Sequence, residues 1–98
     1  MARYILQISY DVLPEKRAEF LALAKEMKAH FADAKKKDYS LFEVKGKGNG
    51  VVEQFVCASR EEFDALEDDL DERGEALVDQ LSGLIAGGSA RYATLVEI

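Results

Sequence analysis

The segment Tyr39-Ser40-Leu41-Phe42-Glu43-Val44-Lys45, Gly46-Lys47-Gly48-Asn49-Gly50, Val51-Val52-Glu53-Gln54-Phe55-Val56-Cys57, followed by Ser59-Arg60-Glu61-Glu62, decides the fold. Two β-branched and aromatic runs flank a stretch whose glycines and Asn supply positive-φ positions, which predicts an antiparallel hairpin. A Gly-rich stretch with a Lys also invites a phosphate-cradle reading. It lacks the P-loop spacing, however, and joins two strands instead of opening a helix. Ser59 and Glu62 then form a capping box, so a helix starts directly after the hairpin.

Working outward, residues 4–12 alternate with period two. Tyr4, Leu6, Ile8, Tyr10 and Val12 share one face of a strand, and Ile5, Gln7, Ser9 and Asp11 the other. Pro14 suits a helix start, and Phe20, Leu23, Ala24, Met27 and Phe31 recur at spacings of three and four. An amphipathic helix is predicted over residues 14–34, with Lys35, Lys36 and Lys37 at its negative end. After Ser59 the apolar positions Phe63, Leu66, Leu70, Leu77, Leu81 and Leu84 continue a helix toward Gly87. Unbroken, about 28 residues would run roughly 42 Å, against about 30 Å for a nine-residue strand. The helix must overhang or break, and Gly74 is the expected breakpoint. Residues 91–98 alternate as a last strand.

The order β-α-β-β-α-β is the ferredoxin-like arrangement: an α+β fold with two helices on one face of a four-stranded antiparallel sheet. Residues 1–98 make a single domain. The exposed sheet face would carry either Ile5/Gln7/Ser9 or Tyr4/Leu6/Ile8/Tyr10 on strand one. On strand three the choice is Val52/Gln54/Val56 or Val51/Phe55/Cys57. Neither face of strand three is wholly polar, so a bare face would be larger than a monomer tolerates. A homodimer packed through the open sheet face is therefore expected.

Composition narrows the function. The chain is 48% hydrophobic and 33% charged, which excludes disorder. Its net charge of −6 argues against nucleic acid and anionic membrane as partners. No apolar run is long enough to span a bilayer, no leader precedes the first strand, and one cysteine forbids an internal disulfide. A cytoplasmic location is expected.

Few side chains point to chemistry. His30, the single histidine, is either a general base at a cavity mouth or a boundary residue near a helix C-terminus. Cys57 is either a nucleophile or a small apolar strand residue. Residues 61–72 hold eight carboxylates, read as a solvated helix face with no metal site, and able to dock on Lys35–Lys37 of another chain. Tyr4, Tyr10, Tyr39 and Tyr92 suit either a cavity for a flat organic molecule or a dimer interface. Gln7, Ser9, Tyr10 and Gln54 are the candidate ligand-binding residues. No cofactor is expected.

Two segments carry a family resemblance. Tyr4-x-Leu6-x-Ile8-x-Tyr10-x-Val12-x-Pro14-x-Lys16-x-x-x-Phe20-Leu21 resembles the opening of antibiotic-biosynthesis-monooxygenase-like domains of the dimeric α+β barrel superfamily. Phe55-Val56-Cys57-Ala58-Ser59-Arg60-Glu61-Glu62-Phe63-Asp64-Ala65 looks like that family's third strand entering its second helix. The resemblance implies a homodimeric barrel with a small-molecule cavity between sheet and helices. Some members oxidise polycyclic aromatics without metal or flavin, and some degrade haem. Cys57 stands where the family often has Trp, and Leu66 where it often has His. The resemblance thus implies a small-molecule-binding dimer whose usual catalytic positions are replaced. The alternative it offers is a cofactor-free monooxygenase-like enzyme acting through His30, tyrosines and polar strand residues on an aromatic or polyketide-type substrate.

Overall fold

A computed structural model describes residues 2–98. Strand β1 spans Tyr4–Asp11, β2 Asp38–Glu43, β3 Gly50–Cys57 and β4 Arg91–Val96. They form one antiparallel sheet in the order β2-β3-β1-β4. Between β1 and β2 a 3₁₀ turn at Pro14–Lys16 leads into α1 (Arg17–Met27), which widens into a π-helical stretch over Lys28–Ala34. Lys36, at φ 57°, then takes the left-handed conformation that ends the helix. The hairpin forms as expected, but its turn uses positive φ only at Gly46, at 85°. Asn49 and the other turn glycines stay out of that region, so the reversal needs less special backbone than its composition offers.

Three helices cover the sheet, not two. α2 is a short helix, Arg60–Ala65, and α3 runs Glu72–Ser82. The capping box forms: Glu62 N–H donates to Ser59 Oγ at 3.2 Å, and Glu62 Oε2 accepts from Ala58 N–H at 2.8 Å. The expected break at Gly74 falls instead at Leu66–Asp71. Asp68, Asp69 and Asp71 are weak helix formers that favour caps, and Asp71 caps α3 by accepting from Gly74 N–H at 2.8 Å. Gly74 lies inside α3 for a different reason. A Cβ there would stand 2.7 Å from Leu70 Cδ1 and 3.3 Å from Phe31 Cε1. Glycine permits close approach of α3 to the π-helical stretch.

The core lies between helices and sheet. Tyr10, Val12, Met27 and Leu77 are almost fully enclosed, with Phe20 and Leu23 of α1 packed beside them. Tyr4, Leu6, Ile8, Tyr10 and Val12 therefore point toward the helices, and Ile5, Gln7, Ser9 and Asp11 point away. On β3, Val51, Glu53, Phe55 and Cys57 point inward. The outer face keeps Val52, Gln54 and Val56.

Pairing orders that outer face into rows. Leu95, Ile5 and Val56 are cross-strand neighbours, as are Ser9, Val52 and Phe42. Between these rows Gln7 sits opposite Gln54, which sits opposite Ser40. Among the described residues no helix covers this side, and Phe42 is 50% exposed. No helix of the described residues is long and apolar enough to cross a membrane.

Candidate functional site: a cleft floored by a buried carboxyl

The helices cover the sheet unevenly. They seal the Tyr10 and Val12 end of β1, but Leu6 and Ile8, on the same face, remain half-buried. The open part is a cleft of about 810 Å³, in the range typical of small-molecule sites. Its floor is Leu6 and Ile8 of β1 with Phe55 and Glu53 of β3. Met27 and Phe31 form one wall, and Phe63, Leu66 and Leu70 a second. Breaking the long helix at Leu66–Asp71 is what swings Leu66 and Leu70 over the cleft. Tyr92 of β4 closes the far side.

Glu53 is the exception on this apolar floor. It is 4% exposed, and it is the one buried charged residue of the described chain. Across the sheet it faces Ile8 on β1 and Leu41 on β2. Tyr10, two residues beyond Ile8, and Tyr39, two before Leu41, reach it diagonally on opposite sides. Tyr39 Oη–H donates to Glu53 Oε1 at 2.6 Å, and Tyr10 Oη–H donates to Oε2. Among the described residues no Lys, Arg or His forms an ion pair with it. Burial raises the Glu53 carboxyl above its ordinary value, while the two phenol hydrogen bonds partly oppose that rise. Both phenols are pushed well up, first by burial and then by the neighbouring carboxylate, so they stay protonated.

A pH dependence of stability follows. Above the ordinary glutamate value of 4.5, the unfolded chain has released the Glu53 proton while the folded chain still holds it. Stability from this group is thus complete below pH 4.5 and falls as pH rises toward the folded value. Urea midpoints should decline as pH rises from 4.5 through the raised folded value, and Glu53→Gln should flatten the decline. Asp69, held down by Lys37, and Asp71, held down by the Gly74 N–H and then His30, act in the opposite sense. Their contribution is lost only as pH falls below the ordinary aspartate value of 3.8.

The cleft mouth is charged. Lys37 pairs with Asp69 at 2.6 Å and Lys35 with Asp71 at 3.8 Å, so the basic and acidic stretches meet within one chain. Asp64 and Glu67 complete the rim. No group of three metal-ligating side chains occurs among the described residues.

The residues singled out from sequence do not share one place. Gln7, Ser9 and Gln54 lie on the outer sheet face, and Tyr10 on the helix side beneath Glu53. His30 sits in the π-helical stretch with Nε2 2.8 Å from Asp71 Oδ1, and is not among the cleft-lining residues. Cys57 is 1% exposed, and burial, reinforced by Glu62, pushes its thiol up, which suits a packing residue better than a nucleophile. Glu53 itself escaped the sequence reading, because a carboxylate in a strand reads as solvent-facing. The signal was present: period two places it on the side of Val51, Phe55 and Cys57.

No protein-family model and no curated protein matches the chain. Solved structures do. A conserved protein from Methanosarcina mazei Go1 superposes with a TM-score of 0.81 at 14% identity, covering 97% of this chain and 92% of that one. SnoaB, a cofactor-independent oxygenase from Streptomyces nogalater, gives 0.73 at 16% identity over 95% and 90%. A NIPSNAP family protein from Agrobacterium tumefaciens gives 0.73 at 20% over 98% and 86%. The chain has the ferredoxin-like α+β fold of the antibiotic-biosynthesis-monooxygenase-like and NIPSNAP proteins.

Proposed function

We propose that this chain is a homodimeric small-molecule-binding protein, with a ligand in the cleft and a second copy against the outer sheet face. One observation carries both halves. The sheet is apolar on both sides, and its own helices leave part of one side open and all of the other bare. The cleft's size and aromatic lining suit a flat or elongated apolar molecule. The outer face suits a two-fold partner, because its polar Gln7–Gln54 row is flanked by Ile5, Val56 and Leu95 on one side and Val52 and Phe42 on the other, and can meet its own copy with hydrogen bonds satisfied.

Binding stabilises a fold by mass action, so a cleft ligand at about 100 times its Kd should raise stability by about 2.7 kcal/mol. Thermal melts with naphthalene-sized aromatics and haem test the reading. An upward shift that Phe55→Asp abolishes while the fold persists supports it. Flat melting curves throughout count against it.

A further inference from the structure

Glu53 is poorly accounted for by folding alone. Taking a carboxylate out of water is strongly unfavourable unless a cation or a full set of donors compensates. Here the carboxyl has two phenol donors and no cation, although a carboxylate offers about four acceptor sites. It also forms part of the cleft floor, beside Ile8, Met27, Phe31 and Phe55. An apolar recess ending in a buried carboxyl that lacks a cation is complementary to an apolar body ending in an amine, which takes or already carries the proton and leaves an ammonium paired with the Glu53 carboxylate. The surroundings agree. The chain carries a net charge of −6, and at the mouth Lys37 is tied to Asp69, whereas Glu67 enters no ion pair among the described residues. An organic anion would meet Glu53 at the floor, and a neutral hydrocarbon would leave its remaining acceptor sites unused.

We propose that the cleft selects apolar amines, holding the protonated amine against Glu53 and the hydrocarbon or aromatic body against Phe31, Phe55 and Phe63. This deepens the small-molecule reading above and rests on it. Tyr10 and Tyr39 are positioning residues: their hydroxyls clamp both carboxylate oxygens and fix the direction from which a third donor approaches. An ammonium supplies both the missing charge and the missing hydrogen bond, and charge-assisted bonds of this kind are about twice as strong as neutral ones.

The test uses three probes with one ring system: 2-phenylethylamine, 2-phenylethanol and 3-phenylpropanoate. Calorimetry on the full chain at pH 7 should give the amine at least tenfold tighter binding than the alcohol, with the carboxylate weakest. Glu53→Gln should bring amine and alcohol to similar affinities while alcohol binding persists. The rim variant Asp64→Asn/Glu67→Gln should retain the tenfold preference, which also serves if Glu53→Gln fails to fold. Equal binding of amine and alcohol to the unaltered protein overturns amine selection and leaves the cleft reading standing. A preference that survives Glu53→Gln, or vanishes in the rim variant, assigns it to the mouth and also overturns the proposal. If none of the three probes and no aromatic of the earlier panel binds, both readings fall.

Discussion

Leu77→Ala is expected to lower stability by about 3 kcal/mol, within the roughly 2–5 kcal/mol range for truncating an enclosed leucine. Leu77 is 0% exposed and sits in the centre of α3, at the middle of the core shared with Tyr10, Met27 and Phe31. Its loss leaves a cavity whose walls are a sheet and two helices, elements that collapse poorly. For a domain of this size each kcal/mol moves Tm by about 4–8 °C, so a fall of roughly 12–24 °C should be seen by circular dichroism. The adjacent Val78 is 43% exposed and provides the control. Val78→Ala should change stability by less than about 1 kcal/mol, because nearly half of its surface is already wet. Equal losses at both positions would mean that α3 presents a different face to the core.

Val52→Lys should act on assembly and leave the fold alone. Val52 points away from the helices, and it pairs with Ser9 on β1 and Phe42 on β2. In the single chain a lysine there reaches water. In a face-to-face dimer it is buried without a counter-charge, at a cost of about 3–5 kcal/mol when a charge is left unpaired. That cost corresponds to roughly a 100- to 4,000-fold weaker association, and two-fold symmetry applies the substitution on both sides. Concentration-dependent size-exclusion chromatography should show the variant shifting to the single-chain position with an unaltered far-ultraviolet spectrum. A variant that elutes like the parent at every concentration would place the interface elsewhere.

The fold was legible from sequence where local chemistry and long-range packing agree. Alternation in Tyr4–Val12 marks the strand and sorts its residues into two faces. Ser59 and Glu62 announce α2, and the apolar spacing of α1 survives even its π-helical end. The breakpoint was misplaced because Gly74 has low helix propensity, whereas the weaker but clustered signal at Asp68–Asp71 decides the chain's path. Propensity cannot show that Gly74 is needed for contact with Phe31, since that contact joins two helices distant in sequence.

The site was less legible, for a related reason. Gln7, Ser9 and Gln54 are polar residues on a strand face, and sequence alone leaves open which face meets the helices. The structure turns that face outward, toward the expected partner. Glu53 lies on the opposite face, and its meaning comes from Tyr10 and Tyr39, brought to it by two different strands. A cluster assembled only by sheet register leaves no contiguous motif to find.

Both the cleft and the partner derive from one premise, that the sheet has more apolar surface than its own helices shield. Sedimentation equilibrium of the unaltered chain at micromolar concentration tests that premise most directly. A species of twice the 10.9 kDa chain mass is the predicted result. A folded, monodisperse species at 10.9 kDa would contradict it.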